Sequence, residues 1–284
     1  MSKVGSAVAV CCIALIACSS DVNAGASPQR QAAGPLPAAL AAWSHFPVHA
    51  SSRPLVLIDG DTVNAPAFGF PNDATALAYE NGTYTAPWRF PTRPRSAAGF
   101  PIVRARSAFS ILKDAATPGP SAAVPLVVTR VTLGAAVFET DRGRRTLPAW
   151  LFAFQGVENP AQVLAVSPRR IFAPPRRILV QAPELESSPT AGSATLASNH
   201  RTLTVGFAGA PEGTGPCQST YSLSVGASRT AVAVVVHAVT HYKGDAGCLL
   251  QASFNRLTTT LAAPLGNRVV VDADSLTAVP VQSQ

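Results

Sequence analysis

The sequence predicts a mainly β protein with an α+β N-terminal part: a helix-on-antiparallel-sheet domain, then a small antiparallel β-sandwich-like domain. Three observations carry this. Runs of β-branched and aromatic residues alternate with smaller or polar ones at a period of two, above all in residues 124–154 and 202–241. Turn signals such as Asp59-Gly60, Asp141-Arg142-Gly143 and Gly266-Asn267 separate such runs, in a chain with 25 prolines and 20 glycines. Hydrophobic residues make up 47% of the 284 and charged residues only 13%, which supplies a core and excludes a disordered chain.

The first element is a leader. Lys3 precedes an apolar stretch over residues 4–17, broken only by Gly5 and Ser6. A bilayer span needs ~20 apolar residues, so this one is too short to cross and has the form of a secretory signal peptide, residues 1–17. Leu15-Ile16-Ala17 before Cys18 resembles the lipobox of bacterial lipoproteins. That resemblance implies a diacylglyceryl group, and palmitate labelling, on Cys18, with cleavage just before it. Val22-Asn23-Ala24 offers ordinary signal peptidase a competing site, which would release a secreted chain. Lipid chains bind a membrane at ~0.8 kcal/mol per buried methylene, and stable anchoring takes two or more of them.

Residues 18–45, small, polar and proline-rich, read as a flexible tether, with a short helix near residues 40–44. An α+β domain follows over residues 46–172. Residues 53–63 read as a strand turning at Asp59-Gly60 in a hairpin. Asn72-Asp73 caps a helix that Asn81-Gly82 ends. Residues 84–90 read as a strand, and 107–116 as a helix stopped by Thr117-Pro118-Gly119-Pro120. Residues 124–140, 146–156 and 161–167 form a three-stranded meander. In it Gly134 suggests a bulge and Pro148 an edge position. Trp150, Phe152 and Phe154 share one face and cover the helices.

Composition shifts over residues 173–197 to a proline-rich linker, with one short strand at 178–180. Residues 198–284 then give the antiparallel β domain. Its run from Thr230 to His241 is apolar on both faces and therefore central. Of five cysteines, Cys11 and Cys12 leave with the leader and Cys18 is the anchor. The remaining pair, Cys217 and Cys248, suits a disulfide in an exported protein; the alternative is two separate thiols. Such a bridge over about thirty residues is worth ~3 kcal/mol.

Two further resemblances add to this. Pro148-Ala149-Trp150 in the second meander strand is similar to PepSY-type exported domains. Thr140-Asp141-Arg142-Gly143, Leu147-Pro148-Ala149-Trp150-Leu151-Phe152, Gly215-Pro216-Cys217 and the segment Pro264-Leu265-Gly266-Asn267-Arg268-Val269-Val270-Val271-Asp272 resemble secreted actinobacterial proteins. Those proteins have no assigned activity, so no catalytic residue carries over.

Charge points outward rather than to nucleic acid. The net charge is +7, and of 22 basic residues only Lys3, Lys113 and Lys243 are lysine. Arginines cluster at 93/95, 142/144/145 and 169/170/176/177. Either ordinary solvated turns or contacts to anionic lipid heads or wall polymers account for them. No nucleic-acid motif is present. His237 and His241 lie ~13 Å apart along a strand, too far for one metal ion. Pro47 breaks any helix joining His45 to His49. Asp59-Gly60-Asp61 with Asn64 reads as a turn rather than a calcium loop. Glu184/Glu186 and Asp272/Asp274 do not make a buried acid–base pair.

No nucleophile elbow, P-loop, zinc-protease or dinucleotide motif occurs, so no catalytic residue, metal or cofactor is assigned. The sequence is therefore read as a lipid-anchored envelope protein that binds, scaffolds or adapts. Its partners would be the membrane, through the lipid, and an envelope protein or anionic wall polymer. The alternatives are an exported hydrolase acting on the wall and a PepSY-like regulator of an extracellular enzyme.

Overall fold

A computed structural model of the chain describes residues 34–284, except 68, 88, 93, 118, 120–123, 174–187 and 242–251. In order, its elements are α1 (Pro35–Ala42), β1 (Val63–Asn64), α2 (Asp73–Glu80), β2 (Tyr84–Thr85), β3 (Ser96–Ala97), β4 (Phe100–Pro101), α3 (Ala105–Asp114), β5 (Leu126–Thr140), β6 (Gly143–Phe154) and β7 (Ala161–Leu164). After a 3₁₀ turn (Pro168–Arg170) come β8 (Ala191–Leu196), β9 (Thr202–Gly209), β10 (Gln218–Ala227), β11 (Ala231–His241), β12 (Ser253–Thr260), β13 (Val269–Asp272) and β14 (Val281–Ser283). The protein is mainly β with a few helices.

The first sheet has the order β1-β7-β6-β5-β2, built on the antiparallel meander β5-β6-β7. Period two puts Trp150, Phe152 and Phe154 on one face of β6, and all three are buried. Helix α3 lays Ala105, Ala108, Phe109 and Leu112 against that face. These positions recur every three to four residues, which is what makes one helical stripe apolar. The Trp150 indole N–H donates to the Val103 carbonyl at 3.0 Å, so the ring is buried without a lost hydrogen bond. Helix α2 is capped as expected: the Asn72 side chain accepts from Thr75 N–H, and Gly82 leaves the helix at φ +64°.

Four local expectations are corrected. Residues 84–90 do not form one strand; β2 stops at Thr85, because Pro87 and Pro91 cannot donate to a ladder. Asp59 and Gly60 do turn at positive φ, with Asp61 N–H donating to Ile58 O, but the arms do not pair as a hairpin. Leu57 pairs with Thr140, while Val63 pairs with Val163. Gly134 is not a bulge: it pairs regularly with Ala149, and the irregularity lies between Val128 and Arg130. A side chain on Gly134 would come within 2.8 Å of Leu151 Cδ1, so the glycine permits a close approach. Pro148 sits on the central strand rather than an edge. Its carbonyl accepts from Ala165 N–H, so its missing N–H faces the chain just past the end of β7, where the ladder has stopped.

The second half is a two-sheet sandwich. One sheet runs β10-β11-β13, the other β12-β9-β8-β14. Leu203, Val205 and Phe207 of β9 meet Val232, Val234 and Val236 of β11 between them. The expected all-antiparallel arrangement is corrected: β11 pairs with β13 in parallel, and so does β14 with β8. Strand β8 also takes residues 191–196 out of the expected linker. The expected strand at 178–180 lies outside the described residues.

The tether expectation is corrected as well. Residues 34–45 pack rather than hang free. Gly34 and Pro35 start α1 with proline in the first turn, where its missing N–H costs nothing. Ala39, Trp43 and Phe46 are buried against Ala231, Ala233, Val235 and Val269, the outer face of the three-stranded sheet. The same contact explains why β11 is apolar on both sides. One side faces the other sheet and the other faces α1. Residues 33–284 accordingly cluster as one compact unit, and no break appears at residue 46.

Candidate anion-binding cleft

Between Glu80 and Asp114 the chain has no acidic residue but carries Arg89, Arg93, Arg95, Arg104, Arg106 and Lys113. The fold gathers four of these. Pro87, Pro91 and Pro94 keep the described residues between β2 and β3 out of regular structure. The β3–β4 turn passes through Ala98 and Gly99 at positive φ and folds the chain back. Val103 N–H then donates to Ala165 O, and Ile102 bridges Val166, which pins the start of α3 to the sheet.

The result is a cleft of about 630 Å³ lined by Arg89, Phe90, Thr92, Arg95, Arg104 and Arg106, with Ala105 at its wall. All four arginines are exposed, and none makes an ion pair with a described residue. The Arg106 guanidinium lies 5.3 Å over the Phe90 ring, and that ring is backed by Phe109 at 5.7 Å. Helix α3 begins here with no side-chain cap and no acidic residue in its first turn. Its first N–H groups therefore add partial positive charge to the same wall.

Planar guanidinium forks match the paired oxygens of phosphates and carboxylates. Four of them, with no ion-pair partner among the described residues, form a local positive field. Among the described residues the lining offers donors and cations but no carboxylate, imidazole or thiol. Such a lining can hold an anion. Sequence reading found Arg95 of this group and placed Arg93, which lies outside the described residues, beside it. Arg89, Arg104 and Arg106 were missed because they are scattered in sequence; the signal that finds them is the acid-free stretch itself.

A second arginine group has a structural role. The Asp141 carboxylate, buried in the β5–β6 turn, accepts from Arg53 through both oxygens, with Nη1–Oδ1 at 3.1 Å. Arg142 Nη2 donates to the Gly266 and Arg268 carbonyls at 2.7 and 2.9 Å, and Arg53 Nε donates to Asn267 O. Burial, with repulsion from Arg53, holds the Arg142 guanidinium below its ordinary pKa, and Asp141 opposes that shift. Burial alone lowers Arg268. Two sequence motifs, Thr140-Asp141-Arg142-Gly143 and Pro264-Leu265-Gly266-Asn267-Arg268, thus meet in one polar joint that ties the halves together.

The remaining candidates are placed as follows. Cys18 and Cys248 lie outside the described residues, and Cys217 is disulfide-bonded. His237 Nε2 is 2.9 Å from Ser224 Oγ, and His241 Nε2 is 3.2 Å from Thr220 Oγ1; both pair across β10–β11. His45 and His49 are exposed. Asn64 Nδ2 donates to the Val137 carbonyl. Asp272, expected to be no part of a buried acid–base pair, is itself buried. It accepts from the Ala191 N–H and from Ser275 N–H and Oγ, fixing the start of β8 and the turn after β13. Glu184 and Glu186 lie outside the described residues. Arg144 pairs with Glu139 at 3.3 Å on the surface, and Arg170 donates to Ser52 Oγ.

Among the described residues no helix is long and apolar enough to cross a membrane, and no group of His, Cys, Asp or Glu is placed to hold a metal ion. No family profile, curated protein or solved structure matches the chain.

Proposed function

We propose that this chain is an exported cell-envelope protein, anchored through a lipid on Cys18, whose folded part binds an anionic envelope component in the arginine cleft. The observation that carries the binding reading is the set Arg89, Arg95, Arg104 and Arg106, gathered around one space with no carboxylate among its described lining residues. A phosphodiester wall polymer is the ligand class best matched, since it repeats the anion along its length and can engage several guanidinium groups at once. The lipobox supplies the address, and the disulfide at Cys217, for which Cys248 is the expected partner, suits an oxidising compartment.

Two experiments test this reading. In cells fed labelled palmitate, the wild-type chain should take label and Cys18→Ala should take none; an unlabelled wild type contradicts the anchor. For the cleft, soluble poly(glycerol phosphate) should bind the wild-type chain, and the double substitution Arg104→Glu/Arg106→Glu should weaken it about tenfold to a hundredfold, as loss of two charge-assisted contacts implies. Uncharged dextran should not bind either form. Equal binding of the polymer by both forms contradicts the cleft as its site.

A further inference from the structure

At the other end of α3 the chemistry reverses. Leu112, Ala115, Ala116 and Thr117 close one side of a cavity of about 480 Å³. Asp61 and Val63 enter from the chain around β1, Tyr79 and Glu80 from α2, and Tyr84 from β2. Among the described residues two carboxylates and two tyrosines line this space, and no Arg, Lys or His does. In a chain of net charge +7 that is a local inversion of sign. Lys113, in the last turn of α3, is exposed and is not part of the lining.

The tyrosines are held by the core. Their rings lie 5.8 Å apart, and both meet Phe154, at 5.9 and 5.4 Å. Phe70 packs on Tyr79 at 4.9 Å. The Tyr84 hydroxyl donates to the Tyr79 carbonyl at 2.7 Å, whereas the Tyr79 hydroxyl has no partner among the described residues. Burial pushes the Tyr79 phenol up to about 12 and Tyr84 higher still, so both rings stay neutral at any physiological pH. Neutral π faces attract cations, best where water is partly excluded. Leu112, Val63, Ala115 and Ala116 offer apolar wall to alkyl groups, while Asp61 and Glu80, both exposed, supply long-range attraction. The C-terminal end of α3 adds the negative end of its dipole. The helix, ten residues and so about 15 Å long, separates this cavity from the arginine cleft.

We propose that this cavity is a second binding site, taking an alkylammonium cation with its charge against the Tyr79 and Tyr84 rings and the Asp61 and Glu80 carboxylates. The site is independent of the anion cleft, and either can fail without the other.

Calorimetric titration of the full chain with choline, with butylammonium and with 3,3-dimethylbutan-1-ol, the uncharged isostere of choline, tests it. At least one cation should bind in the millimolar range, and the neutral alcohol should bind about tenfold more weakly or not at all. Preference for choline identifies a methylated head group as the ligand, and preference for butylammonium a primary amine. Tyr79→Leu should weaken binding about fivefold. Because that change could disturb the core, Asp61→Asn/Glu80→Gln, at exposed positions, should also weaken it severalfold and flatten its salt dependence, while Arg104→Glu/Arg106→Glu should leave it unchanged. Binding of the alcohol as tight as that of choline, no binding of either cation, or cation binding unaffected by the Asp61/Glu80 pair overturns the proposal.

Discussion

Replacing Asp141 with Ala should lower the unfolding free energy by about 3–5 kcal/mol, the cost of removing one partner from a buried ion pair. The reasoning is local. The Asp141 side chain is 2% exposed and Arg53 only 17%, so neither charge can fall back on water. Arg142 Nε stands 3.8 Å from the same carboxylate. Without Asp141, two guanidinium groups face each other with no counter-charge, and the Arg53 guanidinium keeps only its carbonyl contacts and the Phe46 ring at 4.9 Å. A chain of this size loses about 2–4 °C of melting temperature per kcal/mol, so a drop of about 10 °C is expected by calorimetry. Glu139→Ala is the control. It breaks the Arg144–Glu139 pair, whose side chains are 71% and 55% exposed, and should cost under about 1 kcal/mol. Equal effects from the two substitutions would show that the joint around Asp141 does not hold the halves together.

Trp43→Ala should cost about 3–5 kcal/mol, the range for emptying a large core site. Trp43 is fully buried, its ring lies 5.4 Å from Phe172 and 6.3 Å from Phe46, and its indole N–H donates to Leu276 O at 3.1 Å. Truncation therefore leaves a cavity and an unsatisfied carbonyl together. Urea unfolding with an unchanged slope and a lower midpoint would report that loss. A Trp43→Ala protein as stable as the parent would mean that residues 34–45 are a tether after all.

That residue also marks where sequence reading runs short. The meander β5-β6-β7, the α3 stripe and the aromatic face of β6 are local patterns, and period and turn chemistry reveal them directly. The two apolar faces of β11 were legible too, but not the identity of the cover. One face belongs to β9 and the other to a helix almost two hundred residues earlier, which small residues and prolines disguise as linker. Pro148 and Gly134 failed for a similar reason. Each has a general meaning for a strand, edge or bulge, and each was decided by what its neighbours left open. Of the arginine cleft, only the Arg95 neighbourhood was visible, because four arginines spread over residues 89–106 form no motif. What gathers them is the β3–β4 turn and the docking of α3, both tertiary events.

The central claim is that the cleft binds a polyanion by ion pairing with these arginines. The most direct measurement is the affinity of the full chain for poly(glycerol phosphate) as a function of salt. If the four guanidinium groups each displace about one counterion, log K should fall against log salt with a slope of about −2 to −3, by analogy with single-stranded polyanions. Arg104→Glu/Arg106→Glu should bring that slope to about half or less. A slope near zero, or one the double substitution leaves unchanged, contradicts the claim.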